Sequence, residues 1–426
     1  MYFGRHLCFY QAKLTMRLLY NTGIHFYHFL IWLVSCRNPK ARKWLTGRKN
    51  LFERIQKEVI PGKPLLWFHV SSVGEFEQAR PVIEGVRQYS PNYRILLTFF
   101  SPSGYELMKD CPLADYVFYI PLDTPRNARR FLDIVQPDKV FFVKYEFWYN
   151  FLSELKNRQI PTYIFSAIFR SSQPFFRSWG NWFRKALKTY NHIFVQDQNS
   201  CDILHKFGFY NVSISGDTRL DRVAQIARAA SELPRLETFC AGKKILIAGS
   251  TWPEDETIFL RFFNECTDPV KFVIAPHEVN PDSIGRIIAQ LKRPYVLYSS
   301  ASTLEELENA EILIIDGYGY LVSAYRYAKI AYVGGGFSTG IHSILEPAVY
   351  GMPVIFGPDH HKFHEAIEMI RIGAAHSVSS FEELETLLKS YLTDPARLAY
   401  ESNIAFQYVE SNRGATEQIV RYFFEK

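Results

Sequence analysis

From Pro61 onward, short runs of apolar, β-branched and aromatic residues alternate with amphipathic stretches, and Gly, Pro or Ser separates them. A strand buried on both faces reads as a nearly continuous apolar run, so the alternation predicts βαβ units on parallel sheets. In the first half the runs predict strands at Leu65–Val70, Arg94–Phe99, Tyr116–Ile120, Lys139–Val143, Thr162–Ala167, His192–Gln196 and Val212–Ser215. A polar stretch at Ala224–Thr238, with few strong turn signals, leads to a second series at Lys244–Ala248, Lys271–Ala275, Tyr295–Tyr298, Glu311–Ile315, Ile330–Val333 and Pro353–Phe356. Two doubly wound α/β domains follow, over residues 51–223 and 224–405. In such sheets ligands sit beyond the carboxyl ends of the strands, so the chemistry is sought in the loops that follow them.

The first fifty residues have another character. Leu18 to Val34 reads LLYNTGIHFYHFLIWLV, interrupted by Asn21, Thr22, His25 and His28, and is followed by Arg37, Lys40, Arg42, Lys43, Arg48 and Lys49. A helical span needs roughly 20 mostly apolar residues, and this stretch is short and polar for one. No small-residue cleavage site follows it. It predicts a segment lying in the membrane interface, with rings at the headgroup boundary and basic residues drawn to anionic lipid. A packed helix of a soluble domain is the other reading.

A chain of 426 residues exceeds what one core sustains, which agrees with two domains. Hydrophobic residues at 47% and charged residues at 22% exclude long disorder. The net charge of +6 is mild over this length and predicts no nucleic-acid partner. Six scattered cysteines (Cys8, Cys36, Cys111, Cys201, Cys240, Cys266) form no CxxC and have no His at zinc-ligand spacing, so neither a disulfide framework nor a structural metal is expected.

The loops carry the chemistry. After the first predicted strand comes Ser71-Ser72-Val73-Gly74-Glu75, with a helix expected to begin close to Glu75. Glu in a first turn suits the helix macrodipole; it also puts one carboxylate at a strand end, where a general base for a hydroxyl would sit. Ser101-Pro102-Ser103-Gly104 offers a similar turn after the second strand. Lys144, Glu146 and Trp148 follow the fourth and read as a structural ion pair or as further charges of the site. In the second series Gly249-Ser250-Thr251 precedes an acidic helix start, and Gly334-Gly335-Gly336 precedes His342-Ser343-Ile344-Leu345-Glu346. Glycines there let backbone amides approach a phosphate at a helix start, although neither GxGxxG nor a Walker loop is present. Glu346 would accept from ribose hydroxyls, as the acidic residue of dinucleotide sites does. His360, His361 and His364 follow Gly357-Pro358 without an HExxH frame, and no zinc site is expected there.

In this order the segments resemble the bacterial 3-deoxy-D-manno-octulosonic acid (Kdo) transferases of lipopolysaccharide synthesis, over almost the whole chain. The family's Ser-Val-Gly-Glu loop is matched by Ser72-Val73-Gly74-Glu75, which implies Glu75 as the catalytic base. Its Thr-Pro-Thr-Gly-like turn is matched by Ser101–Gly104. Its Glu-x-Glu-x-Trp-Pro-Asn segment falls on Lys144–Asn150, keeping Glu146 and placing Lys144 where the first Glu stands. Its transition-state lysine corresponds to Arg219 within Gly216-Asp217-Thr218-Arg219-Leu220-Asp221. In the donor half, Pro-Arg-His becomes Pro276-His277-Glu278 and Met-Gly-Glu becomes Tyr318-Gly319-Tyr320. The Gly-Gly-His-Asn-Pro-Leu-Glu motif becomes Gly340–Glu346, retaining His342, Leu345 and the sugar-binding Glu346 beside Ser343 and Ile344. Gly357-Pro358 and Phe363 keep the later Gly-Pro with its aromatic.

The resemblance implies a GT-B glycosyltransferase: two Rossmann-like domains facing a central cleft, a membrane-associating amino-terminal helix, and a last helix near Tyr408–Phe424, within 406–426, crossing back to the first domain. It implies metal-independent, inverting transfer of Kdo from CMP-Kdo to the lipid A precursor (lipid IVA), at the cytoplasmic face of the inner membrane and without a cofactor. Glu75, Glu146, Lys144 and Arg219 would form the catalytic group. Ser250, Thr251, Gly335, Gly336 and the amides near Ser343 and Gly319 would meet the donor phosphate. A UDP-sugar transferase with a lipid acceptor would share the anchor, fold and glycine loops. A nucleotide-sugar-binding protein without a base is disfavoured by Glu75.

Overall fold

The computed structural model describes residues 2–301, 303–338 and 340–424, with side chains from Thr15 onward; Cys8 lies outside the described side chains. The chain divides into two compact units, one running to Arg222 and resumed from Gly414, the other spanning Val223–Arg413.

The first unit holds seven strands: β1 Leu65–Val70, β2 Arg94–Phe99, β3 Tyr116–Tyr119, β4 Lys139–Val143, β5 Thr162–Ala167, β6 His192–Val195 and β7 Val212–Ile214. Their spatial order is β3-β2-β1-β4-β5-β6-β7, and every pairing is parallel. All six residues of β1 are buried because helices cover both faces of the sheet. Leu66, Phe68 and Val70 enter one core cluster, Leu65 and Trp67 the other. His69 therefore sits on the Trp67 face, as a period of two requires.

The second unit repeats the plan with β8 Lys244–Thr251, β9 Val270–Pro276, β10 Tyr295–Leu297, β11 Ile312–Ile314, β12 Ile330–Val333, β13 Val354–Phe356 and β14 Ala375–Ser377. Their order is β10-β11-β9-β8-β12-β13-β14, again all parallel. The direction of winding reverses between β1 and β4 in one unit and between β8 and β12 in the other. These reversals open the crevices where doubly wound sheets bind ligands.

Three local readings change. The polar stretch at Ala224–Thr238 is largely helical, in Thr218–Arg228 and Pro234–Cys240, and it buries Leu233, Leu236 and Phe239. Strand β14 has no apolar run behind it, since its three residues are Ala, His and Ser. The helix expected at Tyr408–Phe424 is two, Pro395–Ser411 and Ala415–Phe424, broken at Gly414 with φ +103°. Asp221 caps the last helix by accepting the amides of Gly414 and Thr416, each at 2.7 Å. Ile419, Val420 and Phe423 then enter the core beside the helix Val73–Tyr89.

The amino-terminal helix, Tyr2–Ser35, spends one stripe on protein contacts: Tyr20, Ile24, Ile31 and Ser35 are half-buried at helical spacing. Leu19, Phe26, Leu30, Trp32 and Val34 are exposed. Among the described residues, no helix is long and apolar enough to cross a membrane. The short helices Pro39–Thr46 and Leu51–Glu58 belong to the first unit's packing, with Trp44, Leu51 and Ile55 buried. Arg48 fastens them by donating to the carbonyls of Trp44, Phe100 and Ile120.

The carboxy-terminal helix is thus part of the first unit's core. Phe423 lies against the rings of Phe141 (4.8 Å) and Tyr163 (4.5 Å). Phe423→Ala is expected to destabilise that unit by about 3–5 kcal/mol, the range for a buried phenylalanine. Urea unfolding checks this, and a loss under ~1 kcal/mol would mean the helix is only laid on the surface.

Candidate active site

At the β1–β4 reversal the loops Ser71–Glu75 and Lys144–Trp148 face each other. The first turn of the helix Val73–Tyr89 is capped by Ser72, whose hydroxyl accepts the Glu75 amide at 3.4 Å. This turn aims the Glu75 carboxylate back to the end of β1, where Oε2 accepts the Ser71 amide. The Ser71 hydroxyl donates instead to Oε1 of Glu146. One serine therefore holds two carboxylates, one through its main chain and one through its side chain.

Glu146 is buried and its remaining oxygen is also engaged. Oε2 accepts the Trp148 indole N–H and lies 3.1 Å from Nε2 of His69. His69 is fully buried, with Nδ1 2.9 Å from Thr98 Oγ1, which itself accepts the Trp67 indole N–H at 2.8 Å. Nδ1 also lies 3.1 Å from the Thr98 carbonyl, and Nε2 lies 2.9 Å from the Trp148 indole nitrogen, so both ring nitrogens are engaged. Tyr190 donates to the Glu146 carbonyl. Every group that could turn Glu146 is thereby tied.

These contacts set the electrostatics of Glu75. Burial first, then the Glu146 charge, pushes its carboxyl up from an ordinary 4.5 to about 7, against the pull of the Ser71 amide and the Lys144 ammonium. Lys144 occupies a left-handed conformation at φ +67° directly after β4. Such backbone is costly for a residue with a Cβ and is found where surroundings impose it. A carboxyl poised near neutrality suits a general base.

Arg219 lies in the same unit at the start of the helix Thr218–Arg228. Its guanidinium is committed to Asp217, with Nε and Nη2 at 2.8 and 2.6 Å from Oδ2. Burial raises the Asp217 carboxyl, and Arg219 more than offsets this, leaving it below the usual range. Gln78, on the Glu75 helix, donates to Asp217 at 3.1 Å, and Thr218 donates to the Gln78 carbonyl at 2.7 Å. The Asp217–Arg219 turn is thereby fixed to the element that carries Glu75.

In the second unit the β8–β12 reversal gathers most of the remaining sequence candidates. Ser250, at φ +53°, and Thr251 end β8; the Thr251 carbonyl accepts the His277 amide at 3.0 Å, directly after Pro276 ends β9. Asp255 ties this turn to the triple glycine, accepting the amides of Trp252 at 2.9 Å and Gly335 at 2.8 Å and the Tyr332 hydroxyl at 2.8 Å. Close approach explains the glycines: a Cβ on Gly334 would lie 2.3 Å from the Ser250 carbonyl, and one on Gly336 2.5 Å from the Gly357 nitrogen.

Above them Trp252, His277 and His342 form a stack, with ring centroids 4.7 and 4.3 Å apart. The Trp252 indole donates to Nε2 of His342 at 3.0 Å, which puts the His342 proton on Nδ1. Burial and then His277 lower the His342 pKa to about 4, so its imidazole is neutral. Ser343, Ile344 and Leu345 lead into Leu345–Ala348, a helix of one turn carrying Glu346. One turn sums too few dipoles for a helix-end anion site, so loop amides would have to serve. Tyr318, Gly319 and Tyr320 stand in the exposed loop after β11, where the Tyr318 hydroxyl accepts the Val279 amide at 3.2 Å. His360 and His361 rings adjoin, and among the described residues no group of three or more His, Cys, Asp or Glu is arranged to hold a metal.

His69, Asp255 and the doubling of Ser71 escaped the sequence reading. A lone histidine in the apolar run LLWFHV is the one signal that could have shown the first.

Comparisons with known proteins agree with this geometry. Residues 47–222 match the family model for 3-deoxy-D-manno-octulosonic-acid transferase (kdotransferase). The chain is 28% identical over 338 residues to the 3-deoxy-D-manno-octulosonic acid transferase of Aquifex aeolicus, covering 78% of this chain and 87% of that one. It is 27% identical over 407 residues to that of Haemophilus influenzae, covering 92% and 93%. Among solved structures, the UDP-GlcNAc 2-epimerase of Neisseria meningitidis superposes with a TM-score of 0.59 at 17% identity, covering 85% of this chain and 100% of that one. MurG of Acinetobacter baumannii gives 0.57 at 15% identity, with the same coverage. Two Rossmann-like units, each with a sheet reversal, in company with these neighbours give the GT-B fold. The chain is similar to the Kdo transferases over most of its length, and these relatives indicate a glycosyltransferase.

The Glu75–Glu146 pair makes a pH prediction. Activity that needs deprotonated Glu75 should rise with pH and level off above about 7, the apparent value belonging to the coupled pair. Glu146→Gln removes the neighbouring charge, so the acid limb of kcat/KM should move to lower pH. An unmoved limb would separate the two carboxylates.

Proposed function

We propose that the protein transfers Kdo from CMP-Kdo to a lipid A precursor, with Glu75 as general base. The observation that carries this reading is the Glu75 carboxyl at the end of β1, held near neutrality by burial and by Glu146. Glu75 takes the proton of the acceptor hydroxyl as that oxygen attacks the anomeric carbon, and CMP leaves with its phosphate from the opposite face, which inverts the configuration. No acid is required for such a leaving group; donors that meet its charge suffice. The amides around Ser250 and Ser343 and the Nδ1–H of neutral His342 supply them in this scheme, with Glu346 on the ribose; the Gly335 amide is taken by Asp255. Arg219, held by Asp217, and Lys144 contribute positive charge on the acceptor side.

The acceptor's lipid character accounts for the amino-terminal helix. Its exposed Leu19, Phe26, Leu30 and Trp32, with Arg37, Lys40, Arg42 and Lys43 after them, suit the anionic cytoplasmic surface of the inner membrane.

Glu75→Gln keeps size and hydrogen bonding but cannot accept the proton. Release of CMP in the presence of lipid acceptor should fall roughly 10²–10⁴-fold, the usual share of general acid–base assistance, while calorimetric CMP affinity persists. Near wild-type turnover would remove Glu75 from the role, and release of UDP in place of CMP would replace the donor.

A further inference from the structure

The helix Tyr149–Asn157 begins three residues beyond Glu146, and its own cap position is Trp148, which makes no side-chain cap. The cap comes from another part of the chain. Asp123, fully buried in the loop after β3, accepts the amide of Asn150 at 3.1 Å and that of Phe151 at 3.0 Å. Its carbonyl accepts the Asn150 side-chain amide at 2.7 Å. A carboxylate there satisfies two of the donors that a helix start leaves open and places negative charge against the dipole.

Asp123 is itself held by the amino-terminal helix. The Tyr20 hydroxyl donates to it at 2.6 Å, and Asn150 Nδ2 reaches Asn21 Oδ1 at 2.9 Å. A second path runs through rings: Tyr27 and Trp44 pack on Phe100 at 6.3 and 5.8 Å, and Phe100 packs on Trp148 at 5.0 Å. Trp148 is the residue whose indole N–H holds Glu146.

We infer that Asp123 is a positioning residue that makes the placement of Glu146, and through Ser71 that of Glu75, depend on the amino-terminal helix being docked through Tyr20. The helix is then part of the active-site framework as well as a membrane contact. Burial holds the Asp123 carboxyl up at about 6 in spite of its donors, so withdrawal of the Tyr20 hydroxyl weakens the charge that caps the helix. The kinetic consequence rests on the proposed transferase reaction; the structural coupling does not.

Tyr20→Phe is the test, in the full chain. It keeps the ring contacts to Tyr149 at 5.6 Å and Trp182 at 5.7 Å and removes only the hydroxyl. First-turn amides have no intrahelical acceptor, so hydrogen exchange at Asn150 and Phe151 reports the Asp123 cap alone. Exchange at these two amides should quicken roughly tenfold, the effect of one hydrogen bond, with β1 amides unchanged. Turnover on a detergent-dispersed acceptor should fall by a similar factor at constant KM for CMP-Kdo, and binding to phosphatidylglycerol vesicles should hold. Unchanged exchange at Asn150 and Phe151 overturns the inference, as does a turnover loss that only follows a loss of vesicle binding. If exchange quickens while the wild-type chain never releases CMP from CMP-Kdo, the coupling stands and the proposed reaction falls.

Discussion

Two carboxylates share one serine at the end of β1, and the rest of the first unit's site is arranged around that constraint. Ser71 donates its amide to Glu75 and its hydroxyl to Glu146, which keeps two like charges close in a place with little solvent. Glu146 is tied by the Ser71 hydroxyl and the Trp148 indole and lies 3.1 Å from His69 Nε2, and its charge, after burial, raises the Glu75 carboxyl. A buried carboxylate without that set of donors would be expensive to keep in a fold. Here it is the means by which a neighbouring group is brought near neutrality.

The same economy of construction recurs in the second unit. Asp255, buried at the start of a helix, binds three donors from the loops around β8 and β12 and so brings the glycine turn against Ser250 and Thr251. In each unit a residue with a Cβ is held left-handed directly at a strand's end, Lys144 after β4 and Ser250 within β8. Both positions lie at a sheet reversal. Close loop approach and buried acids therefore coincide there with left-handed residues, at the two places that topology singles out for ligands.

Much of this was legible in the chain because parallel strands covered on both faces must be apolar runs. Thirteen of the strands announce themselves in that way, and β14 does not because Ala375-His376-Ser377 contains no run to see. Glu75, Lys144 and Glu146 were readable because each stands directly after a strand. Their mutual arrangement was not, since Ser71, His69 and Thr98 meet only when β1, β2 and β4 are side by side. Asp123 was invisible for a related reason: its partners Asn150 and Tyr20 are 27 and 103 residues away, and no local pattern records a cap supplied from such a distance. The amino-terminal segment shows the opposite case. Its aromatic and basic content described a surface for lipid, while the stripe given to protein contacts was hidden in an almost uniformly apolar sequence.

The central claim is that geometry around Ser71 holds a proton on Glu75 near neutral pH. Carbon-13 NMR of the glutamate side-chain carboxyls, with Glu75 assigned by its loss in a Glu75 variant, reads this without substrate or turnover. The account predicts a carboxyl that titrates close to 7 and moves down when Glu146 loses its charge. A Glu75 carboxyl titrating at an ordinary 4.5 in the folded protein would contradict it.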